Sequence, residues 1–385
     1  MLRSASSDRP VALAVGGLIA MAVALGIGRF VYTPILPAMA EALHLSKTQA
    51  GFIASANLLG YLVGALLVAA PNLPGSRRNW LLSALAVSAI TTGAMGLVST
   101  MLPFLALRFA GGAASAFVFV LASALVLDGL AAAHRPHLAP LHFAGVGTGI
   151  AVSALTVSAL IAAGSDWRSL WYGPGALAFA ALAAVAWLIR AEPVAIHRST
   201  PTPLTPSRRG LPSLITAYGL FGFGYVITAT FLLAIVRASA ETRPVEPLVW
   251  LIVGVTAAPS VALWAKVSSR LGTRQTFSIA CVIEAVGVAA SVLWPSIPGT
   301  FLAAALLGGT FMGLTAQGVV AARRFAPADP RPILAHMTVA FGVGQIIGPS
   351  LAGALFDLTG GFALPSLLAA AALIAAAAIV RRIPL

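Results

Sequence analysis

Two arginines sit deep inside long apolar runs. Arg29 lies eight residues before Pro37, and Arg108 seven residues after Met101. A charge at such depth in a membrane is costly, so it faces a cavity or a partner. A guanidinium offers a rigid fork of N–H donors that matches a carboxylate, sulfonate or phosphate. No acid is placed to pair with either one: Asp128 falls far along the same run from Arg108, and Glu284 belongs to the other half of the chain. Two such cations around one volume would suit a small organic anion. The architectural alternative is that each guanidinium bonds helix carbonyls and braces its neighbours.

Other polar residues could join them. Tyr32 and Thr33 fall one helical turn from Arg29, Thr228 one turn from Tyr225, and Asn57 and Tyr61 lie four apart, so each set shares a helix face. Thr148 and Gln345 are further candidates; all could pattern a cavity or serve as interhelical polar glue. Glu284 is the most isolated acid. Burial there favours the neutral form, which could bind and release a proton during a cycle. His142 and His336 are the other proton-coupling candidates, with packed imidazoles as the plain alternative.

Several chemistries are excluded. The single Cys281 and six scattered histidines supply neither a disulfide nor a metal site. The glycine runs at Gly26, Gly28, Gly111, Gly112, Gly145 to Gly149 and Gly308, Gly309 look superficially like nucleotide loops. They lack a preceding strand and a Gly-Lys-Ser/Thr ending, so no phosphate cradle or cofactor is expected. Span-borne acids and histidines are too dispersed for an intramembrane enzyme.

The elements that hold these residues follow from composition. Of 385 residues, 59% are hydrophobic and 9% charged, against roughly a quarter charged in soluble proteins. At about 20 apolar residues per membrane helix, the chain has room for about twelve spans. Apolar stretches fall near 11–38, 48–70, 79–99, 101–127, 137–163, 168–190, 211–237, 247–266, 275–294, 297–322, 332–357 and 361–380. The expectation is an all-α membrane protein with an N-terminal six-helix half (1–190), a proline- and arginine-rich linker (191–210) and a C-terminal six-helix half (211–385). Pro34, Pro37, Pro259 and Pro349 are expected to bend or end spans.

The net charge of +13 reflects sidedness and not nucleic-acid binding. With both termini cytoplasmic, seventeen basic residues lie inside and only Lys47, Arg168, Arg237 and Arg243 outside; Arg29 and Arg108 complete the 23. That bias predicts the orientation.

The halves also repeat one another. Gly26-Ile27-Gly28 recurs as Gly222-Phe223-Gly224, Phe104-Leu105-Ala106 as Phe301-Leu302-Ala303, and Gly145-Val146-Gly147 as Gly342-Val343-Gly344, at offsets of 196 or 197. Such duplication is common in membrane carriers. Under it Arg29 matches Tyr225, Arg108 matches Ala305, and Thr148 matches Gln345, so the cations belong to the first half alone.

Two joined six-helix halves look like the major facilitator superfamily. Ser269-Arg270-Leu271-Gly272-Thr273-Arg274 resembles its Asp-Arg-x-Gly-x-Arg loop, with serine in place of aspartate. Leu107-Arg108-Phe109 with Gly111-Gly112 resembles its span 4 arginine motif, and Gly342 to Gly353 its Gly-Pro motif. The stretch from Gly28-Arg29-Phe30 to Ile35-Leu36-Pro37, followed by Gln49-Ala50-Gly51-Phe52 and Asn57-Leu58-Leu59-Gly60-Tyr61, resembles the YbfB/YjiJ-like branch. The resemblance implies a central cavity lined by spans 1, 4, 7 and 10, alternating access, and coupling to protons. It implies a monomeric carrier in a bacterial-type inner membrane, with no substrate specified. Export of lipophilic drugs or sugars is the alternative within transport, since Phe30, Phe117, Phe143, Phe221, Phe231 and Phe311 also fall on cavity faces. A non-transporting membrane sensor is the alternative outside it.

Overall fold

The computed structural model describes residues 4–70, 74–190, 210–325 and 331–383. Among them are thirteen α-helices and no strand: α1 (Ser4–Met21), α2 (Tyr32–Leu43), α3 (Lys47–Val68), α4 (Arg77–Ala94), α5 (Met101–Ala132), α6 (Ala139–Ala162), α7 (Ser169–Leu188), α8 (Leu211–Arg237), α9 (Glu246–Leu271), α10 (Thr273–Leu293), α11 (Ile297–Phe325), α12 (Arg331–Thr359) and α13 (Ala363–Arg381). The first two share one span, giving twelve helical stretches long and apolar enough to cross a membrane. Residues 191–209 of the expected linker lie outside the described residues.

Local chemistry sets several boundaries. His44 adopts a left-handed φ of 51° and ends α2. Ser46 then starts α3 with a capping box: its hydroxyl accepts from Gln49 N at 3.1 Å, and the Gln49 side chain accepts from Ser46 N at 2.9 Å. Gly272, at φ 80°, separates α9 from α10 without a side chain to strain.

Span 1 is not one continuous α-helix. A π-helical turn at Ala22–Ile27 follows α1, and residues 28–31 form a turn before α2 begins. Gly28 N bonds Val23 O at 2.8 Å and Phe30 N bonds Leu25 O at 3.0 Å, both five residues back. Thr33 N then bonds Phe30 O at 3.2 Å, three back, so it does not take the Arg29 carbonyl as an α-helix would. The packing around the π turn is close: a Cβ on Gly26 would meet the Gly149 backbone of α6, and one on Gly28 would meet Ser88 Oγ at 2.5 Å. Pro34 lies in the first turn of α2. Pro37, Pro259 and Pro349 lie inside helices that continue past them.

The first six spans meet the last six through α3 with α12, α6 with α9, and α2 with α8. Glycine sets the spacing. A Cβ on Gly51 would strike the Pro349 carbonyl of α12, and one on Gly147 the Ala258 backbone of α9. At the end of the bundle away from the termini these contacts become polar. Asp357 of α12 accepts from the backbone N–H groups of Lys47 (3.1 Å) and Thr48 (2.9 Å), donors that the first turn of α3 leaves open. Ser55 Oγ donates to Ile346 O at 2.7 Å and accepts from Ser350 Oγ at 2.8 Å. Arg237 pairs with Glu246 at 2.8 Å and reaches Glu41 at 3.7 Å. These bonds tie the two sets of spans together at that end.

Candidate functional site

The turn in span 1 frees two carbonyls, and Arg108 takes both. Its Nη1 donates to Gly28 O at 3.0 Å and its Nη2 to Arg29 O at 3.2 Å, while the guanidinium lies over the Tyr32 ring at 5.0 Å. The backbone of Arg108 is held in turn, since Asn57 Nδ2 donates to its carbonyl at 2.9 Å. Tyr32 Oη donates to Ala50 O of α3 at 2.8 Å. These bonds tie α5 to the broken span.

Arg29 is aimed elsewhere. Its Nη2 donates to Tyr225 Oη on α8 at 3.2 Å, and its guanidinium stacks over the rings of Tyr61 (4.9 Å) and Phe30 (5.2 Å). The same phenolic oxygen accepts from Gln345 Nε2 of α12. Arg29 is 8% exposed, and among the described residues it has no carboxylate within ion-pair distance.

The cluster has unused polar capacity. Asn57 Oδ1, Arg108 Nε, Thr228 Oγ1 and Gln345 Oε1 are buried without a hydrogen-bond partner in the described structure, a condition that native interiors rarely leave unexplained. A void of about 30 Å³ touches Arg29, Tyr32, Thr33, Asn57 and Arg108 on one side and Val226, Ala229 and Thr230 on the other. It is the size of a water molecule or two, so the two sets of spans are nearly in contact here.

The remaining candidates fall apart from this cluster. The Thr148 hydroxyl donates to Ala144 O of its own helix at 3.0 Å. His142 is fully buried beside Gly17, with Nε2 at 3.0 Å from Ser123 Oγ and its ring edge-on to Phe143. His336 is exposed on α12. Glu284 is fully buried, and neither carboxylate oxygen has a hydrogen-bond partner. Beside it stands Thr310 of α11, whose hydroxyl is donated to Leu306 O at 2.6 Å. Asp128 pairs with Arg77 at 3.5 Å, far from Arg108.

Two features were not visible in the residue types. Thr33 Oγ1 donates to Ala229 O at 2.7 Å, a second bond from span 1 to α8. The carbonyls held by Arg108 are backbone groups; the only signal for them was Gly26-x-Gly28 followed by Pro34, which marks a weak stretch of helix.

Comparison with known proteins agrees with this architecture. The profile of the family described as "Uncharacterised MFS-type transporter YbfB" matches residues 21–381. An "Uncharacterized MFS-type transporter YceJ" from Bacillus subtilis (strain 168) is 25% identical over 358 residues, covering 87% of each chain. In fold, the chain is similar to the nucleoside transporter NupG (TM-score 0.71, 16% identity, 97% of this chain and 98% of that one). It is also similar to a bacterial homologue of the human lysosomal transporter Spinster in an inward-facing, unoccupied conformation (TM-score 0.65, 15% identity, 97% and 96%). The chain belongs to the YbfB family of major facilitator transporters: a multi-pass membrane protein that moves a small molecule and is not an enzyme.

Proposed function

For this member of the YbfB family, we propose that the transported solute is a small organic anion, bound at Arg29 between the two sets of six spans. The observation that carries the reading is a buried guanidinium with no carboxylate partner among the described residues, bonded only to the Tyr225 hydroxyl across the seam. An anion with two oxygens fits its donor fork better than one neutral oxygen does. Asn57, Tyr61, Gln345 and Thr228 would supply the surrounding polar contacts, and Tyr32 and Arg108 hold the backbone that presents Arg29.

The basic-residue bias supports a bacterial-type inner membrane with both termini cytoplasmic. In that orientation the polar closure at Asp357, Ser55 and Arg237 lies on the outer side. The halves 1–190 and 211–385 would rock about the site in alternating access, with Glu284 taking up and releasing a proton. His142, locked between Ser123 and Gly17, serves packing in this reading.

Thermal unfolding of the detergent-purified protein against panels of small organic anions, neutral sugars and lipophilic cations tests the anion reading. A ligand at about a hundred times its Kd stabilises the folded form by about 2.7 kcal/mol. Anions are expected to stabilise the native protein and to lose that effect in Arg29→Ala. Stabilisation by cations or sugars instead, or by anions equally in both proteins, would overturn it and favour drug or sugar export.

A further inference from the structure

We propose that the anion carries an aromatic ring, which enters a slot that Phe30 fills in the closed arrangement. This rests on the anion reading above and deepens it.

The seam is chemically lopsided. The first six spans contribute the two buried cations, and the last six contribute a wall of rings. Tyr225 lies between Phe311 and Phe341, near-parallel to both at 11° with centroids 5.7 and 5.9 Å away. Phe221 stacks on Tyr225 at 5.2 Å, and Tyr218 on Phe341 at 4.9 Å. Under the repeat, Phe311, Phe341, Phe221 and Tyr218 correspond to Ala114, Ala144, Leu25 and Ala22. The first half has no equivalent wall, so the rings are no by-product of the shared fold.

Phe30 crosses the seam to reach that wall. It comes from the turn in span 1, yet its ring is edge-on to Phe311 (5.7 Å, 71°) and tilted against Trp250 (6.5 Å, 55°). Arg29, its neighbour in the chain, holds its guanidinium 5.2 Å from the Phe30 centroid. When the halves part, Phe30 and Arg29 leave together on one side, and Phe311 and Trp250 stay on the other. A ligand bridging them needs an anionic group for Arg29 and a ring edge or face for Phe311 and Trp250. An aromatic carboxylate meets both needs, because aromatic pairs gain beyond their buried area through ring geometry.

The test uses benzoate, phenylacetate and 2-naphthoate, each against its ring-saturated counterpart of equal charge, with benzyl alcohol as the uncharged arene. Binding to the detergent-purified full chain is measured by calorimetry, in the native protein and in Phe311→Leu. The aromatic acids are expected to bind about three- to tenfold more tightly than the saturated acids. That preference is expected to shrink in Phe311→Leu, while binding of the saturated acids is retained. Equal affinity for aromatic and saturated acids, lost in Arg29→Ala, would overturn the ring slot and leave the anion reading standing. Equal affinity for benzyl alcohol and benzoate, or no binding by any of the acids, would overturn both.

Discussion

The guanidinium of Arg108 donates to the carbonyl oxygen of Arg29 at 3.2 Å, so one buried arginine fixes the backbone that aims the other. The pair divides two uses of the same residue type. Arg108 turns its two terminal nitrogens to backbone carbonyls, and Arg29 faces a tyrosine across the seam.

Arg108→Ala should therefore lower stability more than it lowers anion recognition. Two buried carbonyls lose their donors, at a cost of about 1–3 kcal/mol. Lysine should rescue only partly, since a single ammonium does not reproduce the fork that spans Gly28 and Arg29. Thermal unfolding of the two variants in detergent measures this, and an unchanged midpoint in Arg108→Ala would remove the clamp.

Closure of the seam at Ser55 and Ser350 can be tested by locking it. Their hydroxyl oxygens lie 2.8 Å apart on α3 and α12, and the single native cysteine, Cys281, is fully buried. In Ser55→Cys, Ser350→Cys, oxidation should cross-link the helices and reduce uptake by proteoliposomes to background, with recovery on reduction. Full uptake by quantitatively cross-linked protein would show that this end of the seam need not open.

Glu284→Gln keeps the shape of the side chain and removes its ability to ionise. If the buried carboxyl carries the coupled proton, uptake driven by an imposed pH gradient should be lost in the variant, while exchange at equal pH on both sides continues. Gradient-driven uptake equal to that of the native protein would assign Glu284 to packing against Thr310.

Glycine contacts predict a sharp contrast. A Cβ on Gly60 would overlap the Phe109 carbonyl of α5, whereas one on Gly309 meets nothing within 4 Å. Gly60→Ala should force α3 and α5 apart at a cost of about 1–3 kcal/mol, while Gly309→Ala should be neutral or gain up to about 1 kcal/mol of helix propensity. Unfolding midpoints of the two variants decide it.

The twelve spans were legible because a membrane crossing leaves a long apolar stretch, and the family because several motifs lie at fixed places on those spans. The contact of Arg29 with Tyr225 was half legible: the repeat placed them at equivalent positions, but matching positions need not touch. The turn at Gly28 to Val31 was hidden, because the 11–38 stretch stays apolar through it, and the groups it exposes are carbonyls common to every residue. The contact of Asp357 left no trace in the sequence, since it depends on the first N–H groups of α3, more than three hundred positions away.

The bonds from Arg29 to Tyr225 and from Thr33 to Ala229 both join residues separated by 196 positions, the offset that relates the two sets of spans. Counterparts can touch only where an axis of symmetry passes between them. Two identical six-helix chains assembled on such an axis would face arginine with arginine there, or tyrosine with tyrosine. The first repels and the second offers no cation. The unlike pair seen here requires that the two copies differ at this position, as they can when both are encoded in one polypeptide, and that asymmetry sets a guanidinium against a phenol on the axis, a pairing that a symmetric dimer could not build.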